Sequence, residues 1–84
     1  MDYVWILARS VTYGQRMERA LNRAGITARI FRAPRELGDW GCAYVVELAA
    51  GSLQTALTVI RGAGLGPVKV YAQQRDGYTE LPLR

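Results

Sequence analysis

Short apolar or alternating runs, separated by glycine- and proline-containing turns, predict a series of β-strands. The first run, Tyr3 to Ala8, is wholly apolar, and the second alternates between apolar and other residues until Pro34 ends it. Near the C-terminus, Asp76-Gly77 is a two-residue turn signal, so the last two strands should form a hairpin. The predicted strands span residues 3–8, 26–31, 42–48, 68–73 and 78–81.

Two segments place apolar residues three and four positions apart, which predicts amphipathic helices. We expect the first helix to be capped by Thr12, with Gln15 completing a capping box, and to stop at Gly25. The second helix should begin with Ser52 as its N-cap and end near residues 62–64. The apolar stripes consist of Met17, Ala20, Leu21 and Ala24 in the first helix and Leu53, Ala56, Leu57 and Ile60 in the second.

The order of these elements, β-α-β-β-α-β with one further short strand, predicts an α+β fold of the ferredoxin-like type. In this fold two helices cover one face of an antiparallel sheet whose strand order is 4-1-3-2. We expect a single domain over residues 1–84, with its core in 2–74 and the hairpin strand and tail in 75–84. The similar helix ends at 23–26 and 62–65 suggest a weak internal duplication.

The composition excludes several kinds of chemistry. The chain has one Cys and no His, so we expect no internal disulfide, no zinc site and no histidine-dependent nucleophile. We also expect no other metal and no organic cofactor. The longest apolar run is too short to span a bilayer, and the first residues do not resemble a signal peptide. We accordingly expect a cytoplasmic protein without a membrane partner.

The excess of basic over acidic residues does not by itself identify a binding partner. Lys and Arg number 11 against 7 Asp and Glu, for a net charge of +4, and Lys69 is the single lysine. Arginine is suited to bidentate contacts with anions, but a GC-rich genome produces the same bias. Three arginines of the first helix, Arg16, Arg19 and Arg23, fit a solvated helix face as well as a surface that docks an acidic partner.

The predicted topology gives the lone thiol a notable position. The end of the first strand, the start of the first helix and the loop before the third strand meet at one end of the sheet, and Cys42 closes that loop. A helix N-terminus and nearby cations lower the pKa of a thiol and make it nucleophilic. A lone cysteine at a strand start is also common packing material, so both interpretations stay open. The residues expected to stabilise a Cys42 thiolate are Arg9, Ser10, Thr12, Arg35 and Gly41.

The sheet face away from the helices is predicted to carry aromatic side chains. Such a patch, if exposed, favours a homodimer formed face to face. RNA binding is the other use of this face, but the third strand lacks the basic-aromatic pattern of RNA-recognition domains and ends near Glu47, so nucleic acid is disfavoured. The candidate interface residues are Tyr3, Trp5, Phe31 and Tyr71.

Several motifs resemble a small bacterial family, the putative selenium/sulfur carrier protein-like proteins. The resemblance covers most of the chain through about Tyr71, and its most specific part is the Pro-Arg-Glu loop followed by a lone cysteine. Family members usually have glycine after that cysteine, where this chain has Ala43. The motifs are Arg9-Ser10-Val11-Thr12, Ala24-Gly25-Ile26, Pro34-Arg35-Glu36-Leu37 and Gly41-Cys42-Ala43.

The resemblance implies that Cys42 is a carrier thiol, which holds sulfur or selenium as a persulfide or selenosulfide. Its partners would be sulfur or selenium donor and acceptor proteins, and the chain would be a carrier rather than a turnover catalyst. The alternative is a non-catalytic binding or regulatory module of the same topology, which dimerises through its aromatic face and uses Cys42 as a structural residue.

Overall fold

A computed structural model describes residues 2–37, 44–66, 68–75 and 77–82 of the chain. Within these ranges the chain forms five strands, two α-helices and two short 3₁₀ turns. The strands are β1 (Tyr3–Ala8), β2 (Ala28–Arg32), β3 (Tyr44–Ala49), β4 (Lys69–Gln74) and β5 (Gly77–Leu81). The helices are α1 (Val11–Arg23) and α2 (Leu53–Gly62), and the 3₁₀ turns are Arg35–Leu37 and Ala50–Ser52.

The strands form one antiparallel sheet in the order β2-β3-β1-β4-β5. Without β5, this is the predicted order 4-1-3-2 seen from the other side. Alternate residues of the strands, such as Val4 and Ile6, pack against Met17 and Leu21 of α1 and Ile60 of α2. Both helices therefore cover the same face, and the ferredoxin-like α+β prediction is confirmed, as is the strand that folds back on β4.

Helix α1 begins earlier than the sequence predicts. Ser10 has extended backbone angles (φ −155°, ψ 166°), and its hydroxyl accepts a hydrogen bond from Tyr13 N at 3.3 Å. The first intrahelical bond runs from Gly14 N to Ser10 O at 3.0 Å. Ser10 is thus the N-cap, and the capping box predicted at Thr12 and Gln15 is wrong, because Thr12 already lies in the first helical turn. For α2 the structure has Ser52 at the predicted N-cap position, but its side chain makes no capping hydrogen bond.

Both helices end in the same local structure, a Schellman motif. Gly25 (φ 84°) follows α1 and Gly64 (φ 72°) follows α2, each with the positive φ that closes the motif. The bonds characteristic of the motif run from Ile26 N to Leu21 O at 2.9 Å and from Leu65 N to Ile60 O at 3.0 Å. The similar sequences at the helix ends are therefore explained by capping chemistry, which requires a glycine followed by an apolar residue.

The same motif corrects the start of β2. Ile26 was predicted to open this strand, but its N–H closes α1 and its side chain is buried against that helix in the core, so β2 begins at Ala28. Ala24, predicted in the buried stripe of α1, is the C-cap residue and is exposed. For β3, the predicted residues 42 and 43 lie outside the described residues, and the strand is seen from Tyr44 onward.

Replacing Gly64 with alanine is expected to destabilise the protein by about 1 kcal/mol, because a Cβ is unfavourable at positive φ. Steric crowding does not contribute, since nothing lies within 4 Å of the position that this Cβ would occupy. Gly62→Ala is the matched control: Gly62 is the last helical residue, its φ is not positive, and its surroundings are equally open. Urea unfolding should show Gly62→Ala to be at least as stable as wild type, and equal midpoints for the two variants would contradict the Schellman interpretation.

Candidate functional site

The ends of four strands meet at one end of the sheet. Ala8 at the end of β1 pairs with Tyr44 at the start of β3, and Tyr44 pairs with Arg32 at the end of β2. Leu7 pairs with Lys69, the first residue of β4. Since α1 is capped by Ser10, its N-terminus lies directly beyond the end of β1. The structure thus brings together the elements that the sequence analysis placed at this end.

This end of the sheet is rich in exposed cations. The guanidinium carbon of Arg9 lies 5.1 Å from the centroid of the Tyr13 ring, an arrangement that holds the cation over the start of α1. The first turn of α1 contains no acidic residue. Among the side chains that the structure describes, no carboxylate lies within ion-pair distance of these cations. The four exposed cations are Arg9, Arg32, Arg35 and Lys69.

A small cleft opens beside this cationic end, between β1, α1 and the segment after α2. Its volume is about 60 Å³, whereas sites for drug-sized ligands are typically about 300–1,000 Å³. The cleft can therefore hold a few water molecules or a small ion, but an organic cofactor does not fit. Its lining residues are Leu7, Arg9, Tyr13, Met17, Gly64, Leu65, Gly66 and Val68.

The structure describes some of the residues predicted to form or stabilise the thiolate, and these differ in exposure and hydrogen bonding. Cys42 and Gly41 lie outside the described residues. Arg9 and Arg35 are exposed, as a role toward an external anion requires. The hydroxyl of Ser10 is engaged with Tyr13 N, and Thr12 is exposed in the first turn of α1. Ser10, rather than Thr12, is thus the N-cap of the helix.

The open face of the sheet is covered in part by the chain itself. Trp5 is only 6% exposed, although it lies on the face that the helices do not cover. The Phe31 ring meets it edge-on at a centroid distance of 5.2 Å, and the Tyr78 ring lies 4.8 Å away. Leu37, from the 3₁₀ turn after β2, packs in the same cluster. Residues 35–37 therefore approach the cationic end from the open face.

Two polar side chains, Glu47 and Arg29, lie beside this aromatic cluster. Trp5 Nε1 donates a hydrogen bond to Glu47 Oε2 at 3.0 Å, and Arg29 forms an ion pair with Glu47 Oε1 at 3.1 Å. The side chain of Glu47 is 14% exposed while that of Arg29 is 74% exposed. Glu47 thus has a hydrogen-bonded role within the fold, which the sequence alone did not indicate.

The side chains of the four candidate interface residues differ in their exposure to solvent. Tyr3 is 49% exposed, Phe31 and Tyr71 are half-buried, and Trp5 is buried. The sequence analysis did not assign Tyr78 to this face. The signal was available, because the hairpin pairs Tyr78 with Gln73, two residues after Tyr71 and therefore on the same side.

No group of three or more His, Cys, Asp or Glu side chains in this part of the chain could hold a metal ion. Among the helices that the structure describes, none has the length and apolar character needed to cross a membrane.

Comparison with known proteins gives one match. A family model described as "Putative Se/S carrier protein-like" matches residues 3–72. The matched region contains the single cysteine and the four cations of the sheet end, and it stops before β5. No curated protein and no solved structure matches the chain significantly.

Proposed function

Because this chain belongs to the Putative Se/S carrier protein-like family, we propose that it carries sulfur or selenium on the thiol of Cys42. The observation that carries the proposal is that the family match includes Cys42 and that the chain has no second cysteine. A persulfide or selenosulfide requires a thiol, so Cys42 is the only side chain that can form one.

The proposed transfer is a thiol exchange without net oxidation. The Cys42 thiolate attacks the outer sulfur of a donor persulfide, so that one S–S bond forms at Cys42 and the S–S bond of the donor breaks. The donor leaves as a thiolate, and the transferred sulfur keeps its proton. An acceptor thiolate removes that sulfur in the same way and regenerates the Cys42 thiolate. Selenium would be held in an analogous S–Se bond.

The cationic end of the sheet supports this chemistry. Cys42 precedes Tyr44 by two residues in the sequence, and Tyr44 is fixed between Ala8 and Arg32. Two residues of extended chain span at most about 7 Å, which keeps the thiol in reach of the sheet end. Arg9 and Arg35 are exposed there, and cations near a thiol favour its thiolate form. We infer that these two arginines stabilise the thiolate.

The partners in this proposal are a donor protein that carries a persulfide and an acceptor protein that takes up the sulfur or selenium. We place the exchange in the cytoplasm, where thiols are kept reduced. The homodimer and the alternative binding module stay predictions. Since Trp5 is covered by Phe31, Tyr78 and Leu37, such a dimer would contact Tyr3 and the exposed parts of Phe31, Tyr71 and Tyr78 rather than Trp5.

The proposal is tested by the rate of Cys42 alkylation as a function of pH, measured by mass spectrometry on the folded protein. We expect fast labelling with an apparent pKa below the ordinary value of about 8.5 for a free cysteine. An Arg9→Gln, Arg35→Gln variant should raise this apparent pKa, because both cations have been removed. Arg23→Gln with Arg75→Gln is the matched control, because it also removes two exposed cations: Arg23 ends α1 and Arg75 lies between β4 and β5, both at the end of the sheet opposite the start of α1.

Two outcomes would contradict the proposal. Labelling that occurs only after unfolding would make Cys42 a structural residue and would favour the binding module. An equal effect of the control double variant and the Arg9→Gln, Arg35→Gln variant would show that the net charge of the chain, rather than the cationic end, determines the reactivity of the thiol.

A further inference from the structure

Strand β2 lies at an edge of the sheet, with β3 as its neighbour on one side. The N–H groups of an edge strand that point away from the sheet can pair with a strand of another molecule. Ala28 and Ile30 are two residues apart, so their N–H groups point to the same side of β2. In this protein both groups already have acceptors outside the sheet.

The acceptors are two side chains of α1. Asn22 Oδ1 accepts a hydrogen bond from Ala28 N at 3.1 Å, and Glu18 Oε2 accepts one from Ile30 N at 3.2 Å. The spacings agree: four helical residues rise about 6 Å, and two strand residues advance about 6.7 Å. Two side chains one helical turn apart therefore match two successive outward N–H groups of the strand.

The surroundings of Glu18 show that it does not act as a surface counter-ion. The arginines at 16, 19 and 23 on the same helix are exposed, yet the structure shows no ion pair between them and Glu18. Glu18 is half-buried and directed at the strand. The close approach of helix and strand is also seen at Gly14, where an added Cβ would overlap Cδ1 of Ile30.

We infer that Glu18 and Asn22 guard the β2 edge against strand addition by a second copy of this chain. The strand is well suited to pair with itself. In a two-fold antiparallel arrangement centred on Ile30, Arg29 would lie opposite Phe31 of the other copy and Ala28 opposite Arg32, so no like charges face each other. The residues with outward N–H groups would also face each other, as antiparallel pairing requires. The pairing needs the outward N–H groups of Ala28, Ile30 and Arg32, and the two α1 side chains occupy the first two of these donors.

A double variant, Glu18→Ala with Asn22→Ala, tests the inference. We expect amide exchange at Ala28 and Ile30 to become at least about fivefold faster in dilute solution, the effect of losing one ordinary hydrogen bond. At higher concentration, light scattering should show the apparent mass rising to twice that of wild type at the same concentration, with protection returning at both amides. Alanine is a better helix former than asparagine, so loss of α1 is not the cause.

The matched control is Glu18→Gln with Asn22→Asp, which retains an oxygen acceptor at each position. We expect it to keep the mass and the exchange rates of wild type. The inference is overturned if the alanine variant has the same mass as wild type at every concentration while its edge amides exchange faster. It is also overturned if the variant associates but leaves Ala28 and Ile30 unprotected, because the contact would then lie elsewhere.

Discussion

A Cys42→Ser variant is expected to take up no sulfur from a low-molecular-weight persulfide, whereas wild type should gain the mass of one sulfur atom per chain. The reason is chemical: a serine oxygen cannot form the S–S bond that the proposed transfer requires. Because the chain has one cysteine, no other thiol can replace it. Intact-mass spectrometry before and after treatment with a thiol reductant measures both the loading and its reversal.

This experiment needs two controls. Thermal unfolding of Cys42→Ser and of Cys42→Ala, each compared with wild type, separates loss of the thiol from loss of the fold. Wild type unfolded in urea shows how fast an unassisted thiol is loaded, and the folded protein should be loaded faster at neutral pH if the cationic end stabilises the thiolate. Sulfur uptake by the serine variant, or equal rates for folded and unfolded wild type, would remove the support for a carrier role.

The architecture could be predicted because it depends on local patterns. Successive side chains of a strand alternate, so Val4 and Ile6 lie on one face of β1 and Tyr3 and Trp5 on the other. Short connections and the order of the elements then leave few topologies, of which the ferredoxin-like one was observed. The meeting of strand ends near Ser10 and Tyr44 follows from the topology in the same way.

The start of α1 could not be decided from the sequence. Ser10 and Thr12 both carry hydroxyls that can cap a helix, and each is followed at a suitable distance by further helical residues. The choice depends on where β1 stops, which is fixed by the pairing of Ala8 with Tyr44. This is a long-range interaction that a local motif does not contain.

Long-range contacts also explain the other differences between the sequence predictions and the structure. The burial of Trp5 depends on Tyr78 from β5 and on Leu37 from the turn after β2, both distant in the chain. The bonds from Ala28 and Ile30 to α1 depend on how closely a helix approaches a strand edge. Side chains that are polar in the sequence thus have structural roles that become visible only in the fold.

The family match does not include every residue that packs on the open face of the sheet. The match ends at residue 72, whereas Tyr78, which covers Trp5, lies beyond it. The cations of the sheet end all lie within the matched region. The cover over Trp5 therefore includes a feature outside the family match, while the proposed carrier chemistry depends on residues inside it.

Replacing Trp5 with alanine is expected to cost about 3–5 kcal/mol of folding free energy, the usual range for a buried large aromatic. Trp5 is 6% exposed, contacts the Phe31 and Tyr78 rings, and donates to Glu47. Domains of this kind are stable by only about 5–15 kcal/mol, so the variant should be partly unfolded at modest denaturant concentration. Urea unfolding followed by circular dichroism avoids the change in tryptophan fluorescence.

Tyr3→Ala is the matched control, because Tyr3 lies on the same strand and the same face but is 49% exposed. We expect it to cost about 1 kcal/mol or less. A Trp5→Phe variant should fall between the two, since it keeps an aromatic ring but leaves Glu47 without the indole N–H. If Trp5→Ala were no more destabilising than Tyr3→Ala, the cover formed by Phe31, Leu37 and Tyr78 would contribute nothing to stability.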